Sequence, residues 1–269
     1  MLKEIVERQS LFCYDVYRMS KNVRLLDAHT MSLQVSDVCL WGVEGSRIDM
    51  GALVPDIASM RPIDDALVSE IAATDTTEPG SLIEVFPAPE DLLAAAREHD
   101  RCEGDLAAAA LGRLATIGNS YEAEYILERS SPANKLVATV WLGTDQSPGM
   151  HVDNRDKLPL ARRLQSRRRL GMNIGPCSRW LLACFPDIVT MAEELGRNPE
   201  DTPGNTEFQE YVDKYPDKVS CVWIPLPSGW AYKMPSDSMG HDGSTLHNGA
   251  SHMYYFLGHW GRGGLAKLG

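Results

Sequence analysis

Apolar positions change their spacing near residue 120. Before it they recur every three or four residues: Ile5, Leu11, Phe12, Val16 and Met19 predict an amphipathic helix over 2–20, and Ala- and Leu-rich segments predict helices over 62–73, 89–98 and 103–116. Pro89 sits in the first turn of the third of these, where a missing N–H costs nothing. One strand is expected over 32–43, where apolar and polar residues partly alternate. After residue 120 the chain breaks into short β-branched and aromatic runs divided by Gly, Pro, Asn and Asp. Runs 121–129, 135–143, 167–175, 179–185, 218–226, 229–234 and 252–260 each predict a strand. Two helical segments, 185–197 and 206–215, interrupt them around a loop at 198–205.

This order predicts an α+β fold in a single domain over 1–269. A double-stranded β-helix, jelly-roll or cupin-like, would occupy 121–262, buttressed by a mainly helical half over 1–120. Two sheets of that kind leave an interior wide enough for a metal and a small ligand.

Composition narrows the function. A net charge of -11 repels phosphate backbones, so nucleic-acid binding is not expected despite the basic run from Arg162 to Arg169, which reads as a solvated face. The N-terminal residues are interrupted by charges and predict neither a signal peptide nor a membrane span. Six cysteines without a C-x-x-C pair fit free thiols in a reducing, cytoplasmic setting.

The candidate chemistry centres on His151-Val152-Asp153. In extended backbone, residues two apart project to the same side, so one imidazole and one carboxylate converge just after a Pro-Gly turn. A second histidine from a distant strand would complete a facial triad with three positions open on the metal.

With further histidines about ninety residues downstream, the pattern resembles the 2-oxoglutarate/Fe(II) oxygenase superfamily over roughly 121–262. The run RRRLGMNIG and the segment GWAYKMPSDSMGHDGST look like those of bacterial amino-acid or natural-product hydroxylases in it. The resemblance implies Fe(II), 2-oxoglutarate and O2 as cofactor and cosubstrates, and hydroxylation of a small polar metabolite such as an amino acid derivative. Halogenation is not expected, because Asp153 fills the position a halide would need, while desaturation and ring formation stay open beside hydroxylation.

The distal ligand has three candidates. His241 follows Pro235-Ser-Asp-Ser-Met-Gly240, which is similar to the superfamily's approach to that ligand, and is placed first. His247 stands second because Arg262 follows it at fifteen residues, and His252 third. For the distal carboxylate of 2-oxoglutarate the resemblance points to Arg262. Alternation over 167–175 offers a second set, since Arg169, Gly171 and Asn173 share one face. Two other readings stay open: a cupin-like metalloenzyme that does not use 2-oxoglutarate, and a non-catalytic binding protein.

Overall fold

The computed structural model describes residues 23–101 and 121–263, except Gly45 and Leu142. In the first stretch, strands β1 (Arg24–Leu25), β2 (Gln34–Leu40), β3 (Ile48–Pro55), β4 (Arg61–Pro62) and β5 (Leu82–Pro87) accompany helices α1 (Asp65–Ile71) and α2 (Glu90–Arg101). The second holds β6 (Tyr121–Ser131), β7 (Ser147–Gly149), β8 (Arg168–Asn173), β9 (Arg179–Phe185), β10 (Ser220–Leu226), β11 (Trp230–Met234), β12 (His241–Ser244) and β13 (Ser251–His259). Helices α3 (Ile188–Glu194) and α4 (Asn205–Lys214) lie between β9 and β10.

Two sheets result. One runs β1-β5-β11-β8-β13-β6, the other β12-β9-β10-β2-β3-β7 with β4 also paired to β2. The jelly-roll-like core expected from the strand-rich half is therefore present, but the described part of the N-terminal half, 23–101, is not mainly helical. Residues 23–101 contribute five strands, because the apolar runs Ala52–Val54 and Leu82–Val85 bury themselves by pairing in the sheets. Only α1 and α2 match the helices expected over 62–73 and 89–98. The helices expected over 2–20 and 103–116 lie outside the described residues.

A second correction concerns 135–143, which forms no regular strand. It runs beside β12 through isolated backbone bonds, Ala138 N to Gly243 O at 2.8 Å and Thr245 N to Lys135 O at 2.9 Å.

Strand register decides what faces the interior. Tyr232 on β11 and Tyr255 on β13 both pair with Gly171 on β8, while Gly243 and His241 on β12 pair with Leu181 and Ala183 on β9. Side chains alternate along each strand, so these rows face inward, where Tyr232, Met234 and Met253 pack with Leu181, Ala183, Val222 and Ile224. The outer face of the first sheet, with Leu170, Met172 and Phe256, is covered by Leu92 and Ala96 of α2. That of the second, with Leu182, Cys184 and Trp223, is covered by Ile188 and Met191 of α3 and Phe208 and Tyr211 of α4.

One contact closes the second sheet on itself. Its terminal strands are β7 and β12, and His151, two residues past β7, forms an antiparallel bridge with His241 on β12. The two amides and carbonyls exchange bonds of 3.1 and 2.9 Å. Among the described residues no helix is long and apolar enough to cross a membrane.

Candidate metal centre

His151, Asp153 and His241 come together at this closure, each offering a ligand atom within 4.8 Å of the others. Three local devices fix the H-x-D segment. Gly149 adopts φ 73°, a left-handed conformation open to glycine, and its carbonyl accepts from His151 Nδ1 at 3.0 Å. Asn205 Oδ1, at the start of α4, accepts from the Val152 amide at 2.7 Å. The Asp237 carboxylate accepts from the Arg155 and Asp156 amides at 3.2 and 3.0 Å, and Ser236 O accepts from the Asp153 amide at 3.1 Å. The stretch that leads to His241 thus also holds Asp153 in place.

The two imidazoles are oriented alike. His241 Nδ1 lies 2.9 Å from Met239 O, as His151 Nδ1 lies 3.0 Å from Gly149 O. A carbonyl only accepts, so each Nδ1 carries a proton, and the neutral imidazole then presents its lone pair at Nε2. Burial pushes the His241 imidazole down to about 3, which keeps it neutral. For Asp153 burial acts upward, but the Arg169 guanidinium beside it is the foremost of the opposing contacts, and the carboxyl is held well below the usual range. Two imidazole nitrogens and one carboxylate, each anchored by outer hydrogen bonds, are the donor set of a divalent transition metal with positions to spare. The donors fit such an ion on geometry alone.

Arg169 already directs positive charge at this set. Its guanidinium donates to the Asp153 carboxylate and, at 3.3 Å, to His241 Nε2, and it lies 5.5 Å from the centre of the Tyr255 ring. Behind the triad is a recess of about 20 Å³ lined by Arg169, Arg179, Tyr232, Tyr255, His241 and Gly243. In front of it, a cavity of about 270 Å³ opens past His151 and Asp153.

Arg179 was not singled out by sequence reasoning. It is 4% exposed, its one side-chain hydrogen bond is Nη1 to Ser251 Oγ at 3.3 Å, and no carboxylate pairs with it among the described residues. A buried guanidinium without a counter-ion is costly unless a ligand supplies one. The available signal was alternation along RWLLACF, which puts Arg179 on the face of Leu181 and Ala183.

The remaining candidates lie elsewhere. His247 is exposed at φ 58° in a turn, and His252 contacts Ser130 Oγ through Nδ1 at 2.7 Å. Arg262 is spent on a surface loop, donating to the carbonyls of Thr74 at 2.9 Å and Asp75 at 2.8 Å, and is therefore not beside the triad. Asn173 faces inward as its alternation predicts, but its amide binds the carbonyls of Cys177, Leu226 and Pro227 at the far end of the barrel. It lines neither cavity at the triad.

Beyond the exposed Arg162, the basic run is not a solvated face. Arg163 is buried against Asn154, Leu158, Pro203 and Asp237, Arg167 pairs with Asp156, and Arg168 is buried with Glu84. Five donors on a planar fork let each guanidinium satisfy several carbonyls and carboxylates at once, which makes burial tolerable.

No family model and no curated protein matches the chain. Among solved structures, an iron and alpha-ketoglutarate-dependent endoperoxidase, NvfI, is similar at a TM-score of 0.32 and 12% identity, over 86% of this chain and 99% of that one. The same enzyme in a different conformation gives 0.32 and 14%, over 85% and 97%. Overlaps this loose carry no argument about this chain. The case rests on its own residues.

Proposed function

We propose that this chain is a mononuclear non-haem iron enzyme that uses 2-oxoglutarate and O2 to oxidise a small molecule, with His151, Asp153 and His241 holding the iron. The observation that carries the reading is the convergence of two Nε2 lone pairs and one carboxylate, with both Nδ1 atoms tied to carbonyls. Three protein donors leave room on an octahedral ion for a chelating cosubstrate and O2. Bound together, these supply oxidation of an unactivated C–H bond.

The chain's own residues then divide the work. Arg179, buried and uncompensated in the recess, would hold the far carboxylate of 2-oxoglutarate, since its fork matches two carboxylate oxygens. Arg169 stabilises negative charge at the ligand set. Tyr232, 4% exposed beside both arginines, and Tyr255 help keep water from the recess. Asp153 fills the third protein position, which favours hydroxylation over halide transfer. We further place the chain as one cytoplasmic domain acting on a metabolite, in keeping with its free thiols at Cys39, Cys177, Cys184 and Cys221.

Anaerobic titration with Fe(II) and then 2-oxoglutarate tests the proposal, because chelation gives a visible charge-transfer band without any known substrate. The band is expected at one equivalent of iron and absent in His241→Ala. Iron binding without the band would point to a cupin-like metalloenzyme, and no stoichiometric iron to a binding protein.

A further inference from the structure

The cavity in front of the triad has a charge unlike that of the protein. The chain carries a net charge of -11, yet Arg129, Arg155, Arg169 and Arg179 line this cavity, and among the described residues Asp153 is the one carboxylate in its lining. Arg169 is engaged by Asp153, and Arg179 faces the recess as well. That leaves Arg129 and Arg155. Arg129, on β6, donates to Val140 O at 3.3 Å and has no acidic partner among the described residues. Arg155 follows Asp153 by two residues, and its amide, not its guanidinium, is held by Asp237. The same lining carries the apolar Ile126, Leu127, Ala138 and Val140 beside the hydroxyls of Ser131 and Thr139.

Two guanidiniums without an acidic partner among the described residues, half-buried Arg129 and exposed Arg155, share the lining of a 270 Å³ space with apolar side chains and describe a receptor for an amphiphilic anion. We propose that the substrate of this site is an organic anion, a carboxylate or phosphate ester on a short apolar body. Its charged group is held by Arg129 and Arg155 and its carbon chain is directed toward His151 and Asp153. Arg129 and Arg155 are thus specificity-determining residues. This rests on the metalloenzyme reading only for which bond is oxidised; the charge preference follows from the cavity lining.

The test uses matched probes: hexanoate against hexanamide, and hexyl phosphate against hexanol. Each is titrated calorimetrically into protein saturated with Co(II) and 2-oxoglutarate, so that the recess is already filled. The anions are expected to bind and the neutral partners to bind at least about tenfold more weakly, the loss typical of one charge-assisted hydrogen bond. Arg129→Gln and Arg155→Gln should each reduce anion binding by a similar factor while Co(II) binding is retained, and Lys at either position should restore part of it. Tighter binding of hexyl phosphate assigns a phosphate ester; tighter binding of hexanoate assigns a carboxylate. Equal binding of charged and neutral partners, no effect of either substitution, or no anion binding at millimolar concentration overturns the proposal. If the protein takes up neither Co(II) nor 2-oxoglutarate, the same titrations on the metal-free chain still decide the anion preference, and only the iron reading falls.

Discussion

Gly243→Ala should separate cosubstrate binding from metal binding. A Cβ on Gly243 would overlap Nη2 of Arg179 and stand 2.7 Å from its Cζ, so the methyl is accommodated only if the guanidinium leaves the recess. The backbone does not resist, since Gly243 pairs with Leu181 in β12 outside the left-handed region. Alanine even restricts the unfolded chain, a gain of about 0.4–1 kcal/mol, so the variant is expected to fold. Displacing Arg179 removes a charge-assisted bidentate partner from the far carboxylate, a loss of about 2–5 kcal/mol, or roughly thirtyfold to several-thousandfold in affinity. Anaerobic Fe(II) titration should be unchanged, while the 2-oxoglutarate concentration that half-fills the charge-transfer band rises by that factor. A variant that binds 2-oxoglutarate within about threefold of the parent would refute the assignment of Arg179.

Four further outcomes are expected. His151→Ala and Asp153→Ala should each abolish stoichiometric Fe(II) uptake with the far-ultraviolet circular dichroism unchanged, whereas His247→Ala, in its exposed turn, should bind iron like the parent. Arg262→Gln should leave the 2-oxoglutarate titration unaltered, because it loses only contacts to the Thr74–Thr77 loop, its carbonyls and the exposed Asp75 carboxylate at 3.9 Å. Glu84→Gln strands the buried cations Arg168 and Lys233, which lie 2.6 and 3.0 Å from its carboxylate, and should cost about 3–5 kcal/mol in urea unfolding. For the metal-free protein, burial pushes His241 from 6.5 down to about 3, so between those values the unfolded chain binds more protons and stability falls as pH falls. The loss should reach about 2 kcal/mol near pH 5, His241→Gln should remove that part of the slope, and parallel profiles for the two proteins would contradict it.

The site was more legible than the frame around it. His-Val-Asp could be read because two side chains of one extended tripeptide converge whatever the strand order, and alternation alone put Arg169 on the inner face. Arg179 escaped because an arginine at a strand's start looks like any solvent-facing charge until another strand covers it. Arg262 misled for the opposite reason: its spacing suits the resemblance, but the chain beyond β13 turns toward Thr74 and Asp75. The N-terminal half failed on periodicity. Ala52–Val54 and Leu82–Val85 are too short to distinguish buried strand from helix, and part of their pairing comes from far along the chain, β11 for β5 and Gly149 of β7 for Leu53.

The ends of the second sheet meet through the same two histidines that offer their nitrogens to a metal. Folding and metal affinity are therefore coupled there, and the coupling is reciprocal. An ion that binds only the joined form adds RT ln(1 + [metal]/Kd) to its stability, and a substitution that lowers the joined fraction raises the apparent Kd in inverse proportion to that fraction. The amides of His151 and His241, each bonded to the other's carbonyl, report on that equilibrium directly. Their hydrogen exchange should slow with added metal in proportion to occupancy, even in variants altered far from the site.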